Sequence, residues 1–171
     1  NTTLPIAVMF PDSNVRDSIK SGHILRSNID SVDAFNNGIV VLQMSVDDYK
    51  SEVENHIRIG ATAGTMMGAS DDFTIHSNGT SFEYTSGIGS GEILVATSDF
   101  TAQNGADGYV KIKEAWDAER FVQLNGLNVT PNGFTNSMLE YLESVDGTLT
   151  QIQTSDFLPR FVTYSNYVPE C

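Results

Sequence analysis

The segment Phe73 to Tyr84, FTIHSNGTSFEY, sets Asn78-Gly79 between two runs of strand-forming residues. Asn and Gly both tolerate positive φ, which the type I′ turn requires, and that turn matches the twist of two paired strands. Local chemistry therefore dictates a β-hairpin, and whatever this chain folds into must accommodate antiparallel strands. A second Asn-Gly, inside Phe121 to Val129 (FVQLNGLNV), suggests a further hairpin.

Around the first hairpin, short apolar runs end at turn residues. Leu4 to Phe10 (LPIAVMF) stops at Pro11-Asp12-Ser13 and reads as a buried strand. Ile39 to Val46 (IVVLQMSV) follows the turn Asn36-Asn37-Gly38 and has the β-branched density of a central strand. Glu92 to Thr97 (EILVAT) and Tyr109 to Lys113 (YVKIK) continue the strand pattern, on either side of a polar loop at Asn104 to Gly108, and Thr148 to Gln153 and Phe161 to Tyr167 supply late strands. Helical spacing occurs over Asn14 to Phe35, broken at Gly22, and over Asp48 to Ile59, capped by Ser45 or Asp47. It recurs over Thr135 to Val145, where Asp146-Gly147 provides the stop. The small residues of Gly60 to Ser70 suit a flexible connection or a close interface. The expected fold is α+β, a single domain over residues 1–171. An antiparallel β-sheet of about six to eight strands would carry two or three helices on one face.

Composition narrows the function. The chain has 171 residues, 9 basic and 22 acidic, for a formal net charge of −13. A surface this acidic lacks the cations that bind a phosphate backbone or an anionic bilayer, so neither nucleic acid nor a membrane surface is an expected partner. No apolar run approaches the roughly 20 residues of a membrane span, and direct membrane insertion is not expected. The single cysteine, Cys171, is the last residue, which excludes an intramolecular disulfide and leaves a free thiol, an intermolecular bridge or a point of excision. A chain opening at Asn1 without methionine fits a processed exported protein or an excised ectodomain, hence an extracellular, cell-surface or virion location. The sequons at Asn1, Asn78 and Asn128 are no more than this composition yields by chance.

Catalytic spacing is sparse. Gly87-Ile88-Gly89-Ser90-Gly91 sets glycines directly against Ser90, unlike a nucleophile elbow, and Glu92 stands where a dinucleotide fingerprint needs its third glycine. His23, His56 and His76 are too far apart in sequence to share a helical turn, so no zinc motif forms. Gln103 to Glu114 resembles a calcium loop only at its fifth, sixth and twelfth positions (Asp107, Gly108, Glu114), leaving Asp107 and Glu114 as weak metal candidates in what reads as a polar hairpin turn. Carboxylates cluster at Asp47-Asp48, Asp71-Asp72, Glu114/Asp117/Glu119 and Glu140/Glu143, but spacing cannot pick two that converge. No catalytic residue and no cofactor are assigned.

These features favour a non-enzymatic, self-associating subunit of an extracellular filament, capsid or cell-surface assembly. Leu4, Ile6, Val8 and Phe10 would be its interface residues, offered to a neighbour's sheet edge. The alternatives are an extracytoplasmic ligand-binding or sensor domain for a small molecule or carbohydrate, and a small secreted hydrolase using Ser90 or a carboxylate pair.

Overall fold

A computed structural model describes residues 4–10, 23, 25–63, 74–77, 82–85 and 90–144. In chain order the elements are β1 (Ile6–Val8), α1 (Arg26–Val32), β2 (Ile39–Ser45), α2 (Val46–Ala63), β3 (Thr74–Ser77), β4 (Phe82–Thr85), β5 (Glu92–Ser98), α3 (Asp99–Asn104), α4 (Val110–Asp117), β6 (Val129–Thr130) and α5 (Gly133–Ser144). A 3-10 turn, Ala106–Gly108, joins α3 to α4. Four strands form one sheet in the order β1-β5-β2-β6, and β3 and β4 form a separate two-stranded sheet.

The sheet is mixed. β2 runs antiparallel to β5 from Ile39↔Ser98 to Ser45↔Glu92, and β6 is antiparallel to β2, but β1 is parallel to β5 through Ile6↔Leu94 and Val8↔Ala96. Period-two alternation sends Val40, Leu42 and Met44 of β2 to the same face as Thr97, Val95 and Ile93 of β5. That face is the core, where Tyr49 and Val53 of α2, Ala102 of α3, and Ile112 and Ala115 of α4 pack on it. Trp116 closes its edge, with its ring 5.0 Å from that of Phe121 in a T-shaped contact.

The α+β class therefore stands, whereas the expected antiparallel sheet of six to eight strands with two or three helices is replaced by a four-stranded mixed sheet and five helices among the described residues. Two misreadings account for this. YVKIK alternates like a strand, but Tyr109, Ile112 and Ala115 also recur at three-residue spacing, and the segment is the start of α4. The parallel pairing of β1 joins residues far apart in the chain, which no local pattern records. The late strands expected after Thr148 and the first half of the Asn14–Phe35 helix lie outside the described residues.

Other expectations hold. β3 and β4 pair antiparallel, with Ser77 opposite Phe82, while the expected Asn78-Gly79 turn lies outside the described residues. At the second Asn-Gly, Asn125 (φ 52°) and Gly126 (φ 80°) sit between Leu124 and Leu127, whose amides donate to each other's carbonyls at 2.9 and 3.0 Å. Ser45 caps α2, its Oγ accepting from the Asp48 amide at 3.0 Å.

Helix α4 is docked by a buried carboxylate. Glu52, on α2, is 2% exposed, and its Oε1 accepts from the Lys111 amide and, at 3.0 Å, from the Ile112 amide in the first turn of α4. Burial pushes its carboxyl from 4.5 up to about 7, against the opposing pull of those two amides and the Lys111 charge. A folded-state pKa above the unfolded value makes the native state bind the proton more tightly. Glu52 accordingly contributes stability that is fully present below pH 4.5 and is lost as the pH rises through about 7. Glu52→Gln keeps the acceptor oxygen and removes the titration, so thermal melts of the variant lose that part of the wild-type pH slope. Glu52→Ala strands two amide donors and costs about 1–3 kcal/mol at any pH.

Candidate functional site

Antiparallel pairing of Ile39 with Ser98 places the start of β2 beside the end of β5, so the turn entering β2 and the helix leaving β5 meet at one end of the sheet. Asp99, the first residue of α3, joins them. Its Oδ1 accepts from the Gly38 amide at 3.0 Å, and its own amide donates to the Gly38 carbonyl at 3.0 Å. The same Oδ1 accepts from the Phe100 amide at 2.7 Å, so one carboxylate satisfies both the turn and the first turn of the helix. Ser98 completes the cap, its Oγ accepting from the Thr101 amide at 3.1 Å and donating to the Thr101 hydroxyl at 2.8 Å.

Only glycine fits at the junction. A Cβ on Gly38 would lie 2.6 Å from Val129 Cγ1, 2.8 Å from Asp99 Oδ2 and 3.1 Å from the Thr130 carbonyl, because β6 passes directly over it. Before it, Asn36 adopts φ 52°, a left-handed conformation that asparagine tolerates, and its amide donates to the Asp33 carbonyl at 3.2 Å. This turn carries Phe35, which is 56% exposed, while Phe100, next to Asp99, is 53% exposed. Phe35 is three positions before Gly38, so its Cα lies within about 11 Å of the junction. Phe35 and Phe100 are thus two exposed aromatic residues carried on the two segments that meet at this end of the sheet, where Asp99 is half-buried.

The α3–α4 connection is fixed from behind. Gly105 (φ 59°) ends α3 in the left-handed region, and Asn55 of α2 donates from Nδ2 to the Gly108 carbonyl at 3.1 Å. The supposed calcium loop is this helix–turn–helix and not a hairpin turn. Asp107 lies in its 3-10 turn, and Glu114 lies in α4, where its carboxylate takes a 2.8 Å bond from Lys111 Nζ. Among the described residues no three His, Cys, Asp or Glu gather at metal-ligating range.

The other candidates are scattered. His23 and Ser90 are exposed and lie on separate segments, and His56 and His76 lie on α2 and β3. Asp48 Oδ2 accepts from Ser45 Oγ at 2.7 Å, and Asp117 pairs with Lys113 at 2.6 Å. Leu4 to Phe10 is committed within its own molecule. The Leu94 amide donates to the Pro5 carbonyl and the Met9 amide to the Ala96 carbonyl, both at 2.9 Å, and Ala7 and Met9 enter the core. Of the proposed interface residues, Ile6 and Val8 lie on the exposed face of β1, Leu4 is half-buried, and the Phe10 ring is 5.4 Å from that of Phe134. Phe35 and Phe100 escaped sequence reading because aromatic residues that do not interleave with basic ones read as core packing.

The sequence matches no protein-family model and no curated protein. The fold does have solved counterparts, nucleotidases among them. The chain is similar to a 5'-nucleotidase precursor from Thermus thermophilus, with TM-score 0.65 and 18% identity over 86% of this chain and 30% of that one. It is also similar to the NAD nucleotidase of Haemophilus influenzae, with TM-score 0.59 and 13% identity over 94% of this chain and 28% of that one. The chain thus spans under a third of the length of either. The expectation of a self-assembling filament, capsid or surface subunit is overturned by these likenesses, which are to enzymes and not to structural subunits.

The junction itself can be tested without a ligand. Gly38→Ala forces Val129 or Asp99 aside and should destabilise by about 1–3 kcal/mol, a Tm loss of roughly 2–4 °C per kcal/mol for a chain of this size. Gly126→Ala, where no atom lies within 4 Å of the added Cβ, meets only its positive φ and serves as the comparison in the same melts.

Proposed function

We propose that this chain is the nucleotide-recognising portion of a nucleotidase-type hydrolase, and that Phe35 and Phe100 hold the base. The observation that carries the reading is the pair of exposed aromatics set at one sheet end by the reciprocal Asp99–Gly38 hydrogen bonds. Every nucleobase has a π-face, and stacking on an aromatic ring contributes about 1–3 kcal/mol per base. The fold likeness to a 5'-nucleotidase precursor and a NAD nucleotidase supports a nucleotide as the ligand.

The charge at the site supports base and sugar recognition over phosphate recognition. Asp99 is acidic, and so is the chain as a whole at −13. A carboxylate accepts hydrogen bonds from ribose hydroxyls or base amino groups and repels a phosphate. The phosphate would then be handled by protein beyond this chain, in keeping with the short share of each solved structure that it covers. An exported location belongs to the same proposal. Among the described residues no helix is long and apolar enough to cross a membrane.

Calorimetric titration with adenosine, AMP and ribose 5-phosphate tests the reading. Adenosine and AMP should bind, and ribose 5-phosphate should not. Phe35→Ala and Phe100→Ala should each weaken adenosine binding about 5- to 100-fold, with thermal melts run beside each titration to confirm that the variants are folded. Equal affinity for ribose 5-phosphate, or wild-type adenosine affinity in both variants, would refute the proposal.

A further inference from the structure

Beneath the turn that carries Phe35 lies a second carboxylate, Asp33, which is fully buried. It ends α1, its amide donating to the Ile29 carbonyl at 3.2 Å. Its Oδ2 accepts from the hydroxyl of Thr135 at 2.8 Å, a contact between residues 102 positions apart, and Thr135 is itself fully buried. Its Oδ1 accepts from the Asn37 amide at 3.4 Å. Thr135 lies in the first turn of α5, so the carboxylate also faces the positive end of a 12-residue helix.

A buried carboxylate is costly unless hydrogen-bonded, and an apolar residue closing α1 would avoid the cost. What the acid supplies instead is geometry. The turn from Asp33 to Gly38 is tied at its far end by Asp99 and at its near end by Thr135, with Asn36 bridging back to the Asp33 carbonyl between them. Phe35 is therefore carried on a short loop clamped at both ends, one clamp from α3 and the other from α5. Phe134, adjacent to Thr135, packs on Phe10, and Gly133 lies so close to Ile39 that a Cβ there would be 2.8 Å from its backbone nitrogen, which seats the first turn of α5 against the sheet.

We propose that Asp33 and Thr135 are positioning residues for the aromatic site, holding the Phe35 turn in the conformation that presents the ring beside Phe100. The inference deepens the base-recognition reading and rests on it for its ligand. The clamp itself is a property of the free protein and can be observed without one.

Amide hydrogen exchange and adenosine titration on Thr135→Val, Thr135→Ser and Asp33→Asn decide the matter. In Thr135→Val, the Asn37 and Gly38 amides should exchange about tenfold faster, corresponding to one lost hydrogen bond to a charged group, while interior amides of β5 and α2 keep their wild-type rates. Thr135→Ser, which restores the hydroxyl, should restore the rates. Asp33→Asn, which removes the charge and keeps an acceptor oxygen, should fall between and serves should Thr135→Val fail to fold. Adenosine affinity should drop about five- to tenfold in Thr135→Val and should not drop further when Phe35 is already alanine, since the clamp acts through that ring. Unchanged turn amides, or an equal affinity loss in both backgrounds, would overturn the proposal. If Phe35→Ala and Phe100→Ala leave adenosine binding intact, the base reading fails alone, and the exchange rates still judge the clamp.

Discussion

The antiparallel ladder between β2 and β5 is the constraint on which the rest of the molecule depends. It aligns Val40, Leu42 and Met44 with Thr97, Val95 and Ile93 to make the core face, and it brings Gly38 and Asp99 to the same end of the sheet. A slip of one residue would exchange the buried and exposed faces of both strands and would part the Gly38 turn from the start of α3. Core and candidate site are in this sense one register. Burial of the apolar face enforces the alignment, and the hydrogen bonds at the site are made on the register it sets.

On that frame, buried or half-buried carboxylates make the long-range connections. Glu52 holds α4 to α2, Asp99 holds α3 to the turn before β2, and Asp33 holds the same turn to α5. Each accepts from backbone amides, and all three act at the first turn of a helix on another segment or of their own, where the helix dipole favours a negative charge. A chain with 22 acidic residues can place a few in this way. Glu52 shows the cost, since burial holds its carboxyl near neutral pH despite two amide donors. The acidity that reads in the sequence as a solvated surface is thus also part of the internal scaffold.

Legibility in the sequence followed the range of the interaction. Asn125-Gly126 announces its turn because both residues must take positive φ, and IVVLQMSV announces a central strand because of its dense run of apolar, β-branched residues. The strand–helix ambiguity of YVKIK could have been resolved by following Tyr109, Ile112 and Ala115 at helical spacing into Trp116. Nothing local tells β1 to run parallel to β5, or Asp33 to find a threonine 102 residues away. The apolar heptapeptide Leu4 to Phe10 looked available to a neighbour because its partner strand lies more than 80 residues on; the register Ile6↔Leu94 shows that the partner is intramolecular.

The same reasoning explains why the candidate site was invisible. Catalytic and metal motifs are recognised by short spacings, but a stacking site needs only two rings at the right distance, and these can come from any two segments that the fold brings together. Phe35 and Phe100 are separated in sequence by two core strands, a long helix and an entire hairpin, and neither is marked by any motif around it. What distinguishes them is exposure in the folded chain, next to a glycine that admits no side chain and an aspartate with three backbone contacts. So many hydrogen bonds and such strict packing between the two segments that carry these residues secure little apolar burial. It is the arrangement expected where the position of the rings, and not their contribution to the core, is what matters.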